Sequence, residues 1–361
     1  MTQTMPTINV VFRQLASTAV ARSQKGTVAL ILCDASASEN DQTYQLRSTA
    51  QIPESLGAEN QAAIRRVFQG GAKTVLVYVQ NAGVTITGSS PALKWLATRT
   101  FDYLALHGGA VSSETKAVKE WIIQQRTDNH AIYKAVLPDT VADHEAIINF
   151  TASDIQVDED TFTAADYCGR VAGILAGLPM KQSATYVPLA EVDDIKRLTA
   201  LEMDTAVGKG QLILFHDGKK VKFGRAVNSL TTTTGKSAQW QKIKILEMLD
   251  MIGLDIRTAI ADNYIGKVPN TYANKQLLIS AIIDYLSGLE RDQLIEPGFE
   301  VNIALEDQRA WLESQGIPTA DMSEDEIRQA NTGTHVYLYI NITPVDAMED
   351  VDVGVYLPIT V

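Results

Sequence analysis

The sequence predicts a mixed α/β protein: a central α/β region, a C-terminal α+β domain and an extended β arm at each end. Three observations carry this expectation. Strands alternate with amphipathic helices over the first two thirds of the chain, a pair of long amphipathic helices follows, and both ends place apolar residues at a period of two. With 361 residues, 45% of them hydrophobic and 20% charged, the chain can fill a sizeable core and about two or three domains.

The elements follow in order. Thr7 to Phe12 alternates, with Ile8, Val10 and Phe12 on one face of a strand, and the small, polar stretch QLASTAVARSQKG cuts it off from the body. A strand with no neighbour close in sequence reads as an arm. Thr27 to Cys33 is the first body strand, followed by a Ser/Asn/Asp loop and a short strand near Thr43 to Arg47. In the helix from Glu59 to Gln69, Ala63, Ile64, Val67 and Phe68 form the apolar stripe, and Gly70 and Gly71 end it. Thr74 to Val79 is a buried strand. Next come a helix at Pro91 to Thr98, a strand at Phe101 to His107, a helix at Ser112 to Arg126 capped by Ser112 or Ser113, and a strand at Ala131 to Leu137. Such spacing predicts βαβ crossovers and a mixed or parallel sheet.

The apolar run Glu145 to Phe150 precedes a helix at Phe162 to Ala176, on which Gly169, Gly173 and Gly177 recur along one side. Close packing against another element is the expected role, since a membrane dimer motif would need an apolar stretch of about 20 residues. Asp217 and Gly218 form the turn of a hairpin between Gln211–His216 and Lys220–Val227. Trp240 to Ala261 and Asn270 to Leu289 make a helical hairpin, with Gly266 and Pro269 in its connection. A strand near Phe299 to Leu305 and a short acidic helix pair lead to HVYLYINIT, where Val336, Leu338, Ile340 and Ile342 share a face. In VDVGVYLPITV the shared face is Val351, Val353, Val355, Leu357, Ile359 and Val361. That alternation is too regular for a frayed tail and calls for a partner.

Several function classes lose support. A net charge of −12 gives no electrostatic basis for coating nucleic acid. The only cysteines, Cys33 and Cys168, read as small buried hydrophobes of a reducing compartment. The sequence shows neither an apolar run of about 18 residues nor a basic, apolar leader, so the expectation is a chain made in the cytoplasm that makes no membrane contact itself. Histidines 107, 130, 144, 216 and 335 fit no metal-ligand spacing. TTTTGKS, at Thr231 to Ser237, ends like a phosphate-binding loop through Gly235, Lys236 and Ser237, but Leu230 stands where the motif needs glycine, and β-branched threonines resist the curled backbone. HGGA, from His107, reads as a turn, because no nucleophile or acidic partner accompanies it. Asp193 and Asp194, like Glu324, Asp325 and Glu326, read as solvated groups near helix starts. No catalytic residue, cofactor or metal is expected.

Four stretches, in this order and spacing, resemble the contractile phage tail sheath family: AAIRRVFQGGAKTVLVYV; GRVAGILAGLPMKQSATYVPL with GRAVNSLTTTTG; DMIGLDIRTAIADNYIGKVPN; and TPVDAMEDVDVGVYL. The resemblance runs over most of the chain and points to the short sheath proteins of Gram-positive phages and phage-tail-like bacteriocins. It implies a central α/β region of subtilisin-like topology without protease activity, and the chain has no GTSMA-type serine motif. The implied organisation is an N-terminal arm at 1–24, a β/α region at 25–90, the subtilisin-like region at 91–234, a C-terminal sheath domain at 235–345 and an arm strand at 346–361.

The resemblance further implies that the arms leave the subunit and add strands to neighbours' sheets. Ile8, Val10, Phe12, Val351, Val353, Val355, Leu357 and Ile359 are then the arm residues, and Val336, Leu338, Ile340 and Ile342 belong to the receiving sheet. Pro358 interrupts the ladder donors of the second arm, a departure that an edge strand tolerates. The partners implied are copies of the same chain in a helical sheath, a tail tube protein, and baseplate and terminator proteins, in a virion tail assembled in the bacterial cytoplasm. Two other readings are a non-contractile tube or shell protein and a nucleotide-binding α/β enzyme.

Overall fold

Strand β1 (Thr27–Asp34) is apolar at successive positions, the pattern of a strand covered on both faces. In the computed structural model, which describes residues 20, 25–34, 41–81, 83–107 and 109–357, it lies inside an eight-stranded sheet. The other strands of that sheet are β2 (Thr43–Leu46), β3 (Thr74–Asn81), β4 (Tyr103–Leu106), β5 (Lys134–Pro138), β6 (Ile147–Thr151), β9 (Gln211–His216) and β10 (Val221–Phe223). Their order is β10-β9-β6-β5-β4-β1-β3-β2. The six central strands are parallel, while β2 and β10 pair antiparallel at the two edges. Because β1 pairs with both β3 and β4, residues 25–90 and 91–234 share one sheet.

Among the described residues, one compact unit comprises 25–250 with 346–357, and the other is built on 251–345. In the first, helices cover both faces of the sheet. Helices α1 (Ala58–Gln69) and α4 (Ala164–Gly177) pack with Val28, Leu30 and Leu32, while α2 (Pro91–Leu96) and α3 (Ser112–Asn129) pack with Ala29 and Ile31. The glycines of α4 let it approach α1 to backbone contact: a Cβ on Gly173 would lie 2.2 Å from the Val67 carbonyl oxygen.

Two small elements have no counterpart in the sequence expectations. One is the hairpin β7 (Ile155–Val157) and β8 (Asp160–Phe162), which turns through Asp158 at φ 52° without a glycine. The other is α5 (Ala200–Gly208), whose Met203, Ala206 and Val207 are only half-buried. Helix α3 is not capped by Ser112 or Ser113. Val111 occupies the cap position, and the Glu114 carboxylate accepts from the Val111 and Ile86 N–H groups at 3.0 and 2.9 Å.

The first turns of α6 (Ile243–Asn263) join the sheet through charge. Lys134, 1% exposed at the start of β5, lies 3.0 Å from Asp250 and 3.3 Å from Glu247. Arg126 of α3 grips Asp250 with two donors, at 3.0 and 2.8 Å, and the Tyr103 hydroxyl donates to Glu247. Lys25 donates to the Leu175 carbonyl at 2.8 Å and pairs with Glu247 at 3.3 Å. Asp102 accepts from the Gly26 and Thr27 N–H groups at 2.7 and 2.8 Å. Burial alone would raise the Glu247 carboxyl, but Lys134, Lys25 and the Tyr103 hydroxyl outweigh it and hold it down to about 2. Burial, then the Glu247 charge, pushes Asp102 up.

The second unit contains most of α6, followed by α7 (Tyr272–Arg291), β11 (Glu300–Ile303), α8 (Leu305–Ser314), α9 (Glu324–Gln329) and β12 (Leu338–Asn341). Tyr285 of α7 donates to Asp255 of α6 at 2.6 Å, which fixes the helical hairpin in register. Within α9, Ser323 and Glu326 form a reciprocal cap.

Two predictions follow from this packing. Gly173→Ala overlaps rigid backbone and should cost about 3 kcal/mol in denaturant unfolding, whereas Gly208→Ala, with open space around it, should cost little. Glu247 falls from an ordinary value of 4.5 to about 2 on folding, so the unfolded chain binds its proton first. Its contribution is complete above pH 4.5 and is lost as pH falls towards 2. Glu247→Gln should unfold more easily at pH 7, by about 3 kcal/mol, and show a flatter loss of stability across that acid window in pH-dependent unfolding curves.

Candidate functional site

Of the arm residues, Ile8, Val10, Phe12 and Ile359 lie outside the described residues, as do Pro358 and Val361. The second arm is described up to Leu357. Its alternating residues face solvent: Val351 is 72% exposed, Val353 77%, Val355 81% and Leu357 85%. No strand forms there. Burying these side chains is favourable in proportion to their area, and the arm's own unit leaves them in water.

The root of this arm is held firmly. Asp346 pairs with Lys242, Asp350 with Arg225, and Glu349 accepts from Ser183 and Thr185 at 2.8 and 2.6 Å. The Glu349 side chain is only 6% exposed, although Met348 beside it is 96% exposed. Lys242 and Arg225 also stand 3.9 and 4.0 Å from the second Glu349 oxygen. These anchors were not expected from the sequence. The one available signal was the acidic cluster Asp346, Glu349, Asp350, directly before the apolar alternation.

The proposed receiving residues sit on a two-stranded antiparallel sheet in which Val301 faces Ile340 and Ile303 faces Leu338. All four side chains share one face. Val301 and Ile303 on β11 are 4% and 3% exposed, but Leu338 and Ile340 on β12 are half-buried, Ile342 likewise, and Val336 is 42% exposed. Burial therefore falls from β11 to β12. Along β12 runs a groove of about 650 Å³, walled by Ile260 of α6, Leu278 and Ile282 of α7, and Val336, Leu338 and Ile340. Among the described strands β12 pairs on one edge only. Its approach is fixed by Asn270, whose amide donates to the Gly333 and His335 carbonyls at 2.8 and 2.9 Å. An open backbone edge and an apolar groove thus lie together at β12.

The other motifs are engaged in structural hydrogen bonds. The Asp143 carboxylate accepts from Thr231 N–H at 2.7 Å and Thr232 N–H at 2.8 Å, and the Thr232 and Thr231 donors hold it well below the usual carboxylate range. Lys236 pairs with Glu145 at 2.8 Å and lies over the Trp240 ring. His107 lines a cleft at the carboxyl ends of β1, β3 and β4, beside Asp34, which accepts from the Gly57 N–H at 3.1 Å and the Asn60 amide at 2.8 Å. Burial pushes the His107 imidazole below its ordinary value. No group of three or more metal-ligating side chains occurs among the described residues. Asp193 and Asp194 do not open a helix. Asp193 accepts from Asp158 N–H at 2.9 Å, and Asp194 from Ile195 N–H at 2.9 Å, tying the β7–β8 hairpin to the segment before α5.

Comparison with known proteins matches this geometry to one family. The phage tail sheath protein central domain matches residues 78–229, and the phage tail sheath C-terminal domain matches residues 235–357. The tail sheath protein of Clostridium phage phiCD119 is 37% identical over 356 residues, covering 97% of this chain and 98% of that protein. A sheath tail protein from Listeria innocua shares the fold at a TM-score of 0.67 and 17% identity, over 90% of this chain and 96% of that one. The helical sheath of the anti-feeding prophage, in its contracted state, shares it at a TM-score of 0.69 and 15% identity, over 98% and 99% of the two chains. The chain belongs to the phage tail sheath family and is a structural subunit of a tail sheath.

Proposed function

We propose that the chain polymerises into a helical contractile sheath around a tail tube, and that contraction drives the tube through the target envelope. The observation that carries this reading is the tail rooted on its own unit with Val351, Val353, Val355 and Leu357 left in water. A second support is the open edge of β12 with the apolar groove that runs along it. An arm from a neighbouring copy adds its backbone N–H and C=O groups to that open edge, and its alternate apolar side chains enter the groove. Burial of about four to six apolar side chains contributes several kcal/mol gross per arm, at about 25 cal/mol per Å². Ordering the arm offsets part of it.

Links of this kind survive rigid-body movement of the bodies they join. Extended and contracted lattices share them, while contacts between bodies exchange and the contracted lattice lies lower in free energy. Work then comes from burial and charge pairing, released subunit by subunit, and the subunit itself is not a catalyst. The contracted helical sheath that shares this fold supports that reading. The tube, the baseplate and a terminator at the far end are the other partners, and assembly takes place in the bacterial cytoplasm before the tail is completed.

Deleting residues 1 to about 20, or residues 351–361, should leave a folded, soluble subunit that forms no tubes by electron microscopy, whereas the full chain forms wide hollow helical tubes. Normal tubes from either truncation would refute the assignment of that arm. Leu338→Asp should likewise block tube formation while leaving the first unit's unfolding transition unchanged.

A further inference from the structure

The two arm roots are pinned to neighbouring stretches of chain, the end of α4 with the segment after it and the start of α6. At the N-terminal root, Lys25 bonds the Leu175 carbonyl and Glu247. At the C-terminal root, Asp346 pairs with Lys242, and Glu349 bonds Ser183 and Thr185. Lys242 directly precedes α6, and Glu247 is the fifth residue of that helix. Leu175, Ser183 and Thr185 belong to the end of α4 and the segment directly after it. Glu247 is in turn fixed to the sheet by Lys134, and its neighbour Asp250 by Arg126 and Lys134.

We propose that Lys242 to Glu247 is a common anchor which sets the exit points of both arms and passes load from one arm to the other through the first turns of α6. The inference rests on the arm reading above. A charge-assisted bond sheltered from water resists displacement better than an exposed pair, and a strand presented from a fixed root meets its acceptor at a higher effective concentration. The C-terminal pins are graded in the same sense: Glu349 is sheltered at 6% exposure, whereas Asp350 on Arg225 is 78% exposed. Tension on the tail reaches Arg225 first and stops at Glu349 and Lys242. Lys242, Glu247 and Glu349 are positioning residues, none of which belongs to the interlocking strands.

The test is the concentration at which the full chain polymerises, read by light scattering and electron microscopy. Asp346→Lys opposes Lys242 with a like charge and should raise that concentration about tenfold, and the swap Lys242→Asp with Asp346→Lys should lower it again in part, because position 242 also faces Glu349 at 3.9 Å. Asp346→Asn, which adds no repulsion, should shift it in the same direction by less. Lys25→Met and Asp346→Asn, whose side chains do not touch, should be non-additive when combined, because they load one anchor. Wild-type polymerisation by folded Asp346→Lys and Asp346→Asn, a swap no better than Asp346→Lys alone, or strict additivity of the pair would overturn the common anchor. The 351–361 deletion separates the two levels: if it polymerises normally, the arm reading itself fails, and if it does not while the anchor variants behave as wild type, only the anchor fails.

Discussion

The structure depends on an incomplete sheet. A two-stranded antiparallel sheet is marginal by itself, and β11–β12 ends in an open backbone edge on β12 and a face whose exposure rises from 4% and 3% on β11 to half-buried positions on β12. An edge of that kind invites pairing, and globular proteins usually blunt it with charge or cover it. Here the open edge borders an apolar groove, and the chain carries an alternating segment whose apolar side chains its own unit does not bury. Deficit and surplus have the same period. In the proposed assembly they cancel when one copy's arm meets another copy's sheet.

Satisfying the sheet between copies also sets the kind of assembly. A link from an arm on one surface to a groove on another is head to tail, and head-to-tail contacts that do not close generate helical polymers. The net charge of −12 opposes crowding of the bodies, so in the proposed assembly strand links would hold subunits together while like charge keeps the bodies from associating at random. Strand addition commits few body residues. The remaining surfaces are free to exchange contacts, which is the requirement for a lattice that changes shape without coming apart. Rigid roots complete the design, because an arm that swung freely would transmit little of a neighbour's rotation.

Much of this was legible in the sequence, and the reasons are local. The apolar runs of β1 and β3, the stripe of α1 ended by Gly70 and Gly71, the small-residue side of α4 and the Asp217–Gly218 turn all follow from periodicity and turn chemistry, which involve near neighbours. The alternation from Val351 to Leu357 was equally plain. The partners of charged residues were not legible: Lys134 meets Asp250 and Tyr103 meets Glu247 across 116 and 144 positions, and only the parallel crossovers bring them together. The tail root was hidden for the same reason, since Glu349 finds Ser183 from 166 positions away. The β7–β8 hairpin turns on Asp158 without a glycine, and α5 is short with its apolar residues only half-buried, so neither stood out from the local pattern. At α3, Glu114 rather than a serine satisfies the first N–H groups, because its carboxylate also holds the loop at Ile86.

A high-resolution helical reconstruction of the assembled polymer addresses the central claim most directly. The account requires density for strands from other copies continuing the β11–β12 sheet, with one lying along β12 and its apolar side chains filling the groove beside Leu278 and Ile282. A polymer in which each copy keeps a two-stranded sheet with an empty groove, held together by contacts between bodies alone, would contradict it.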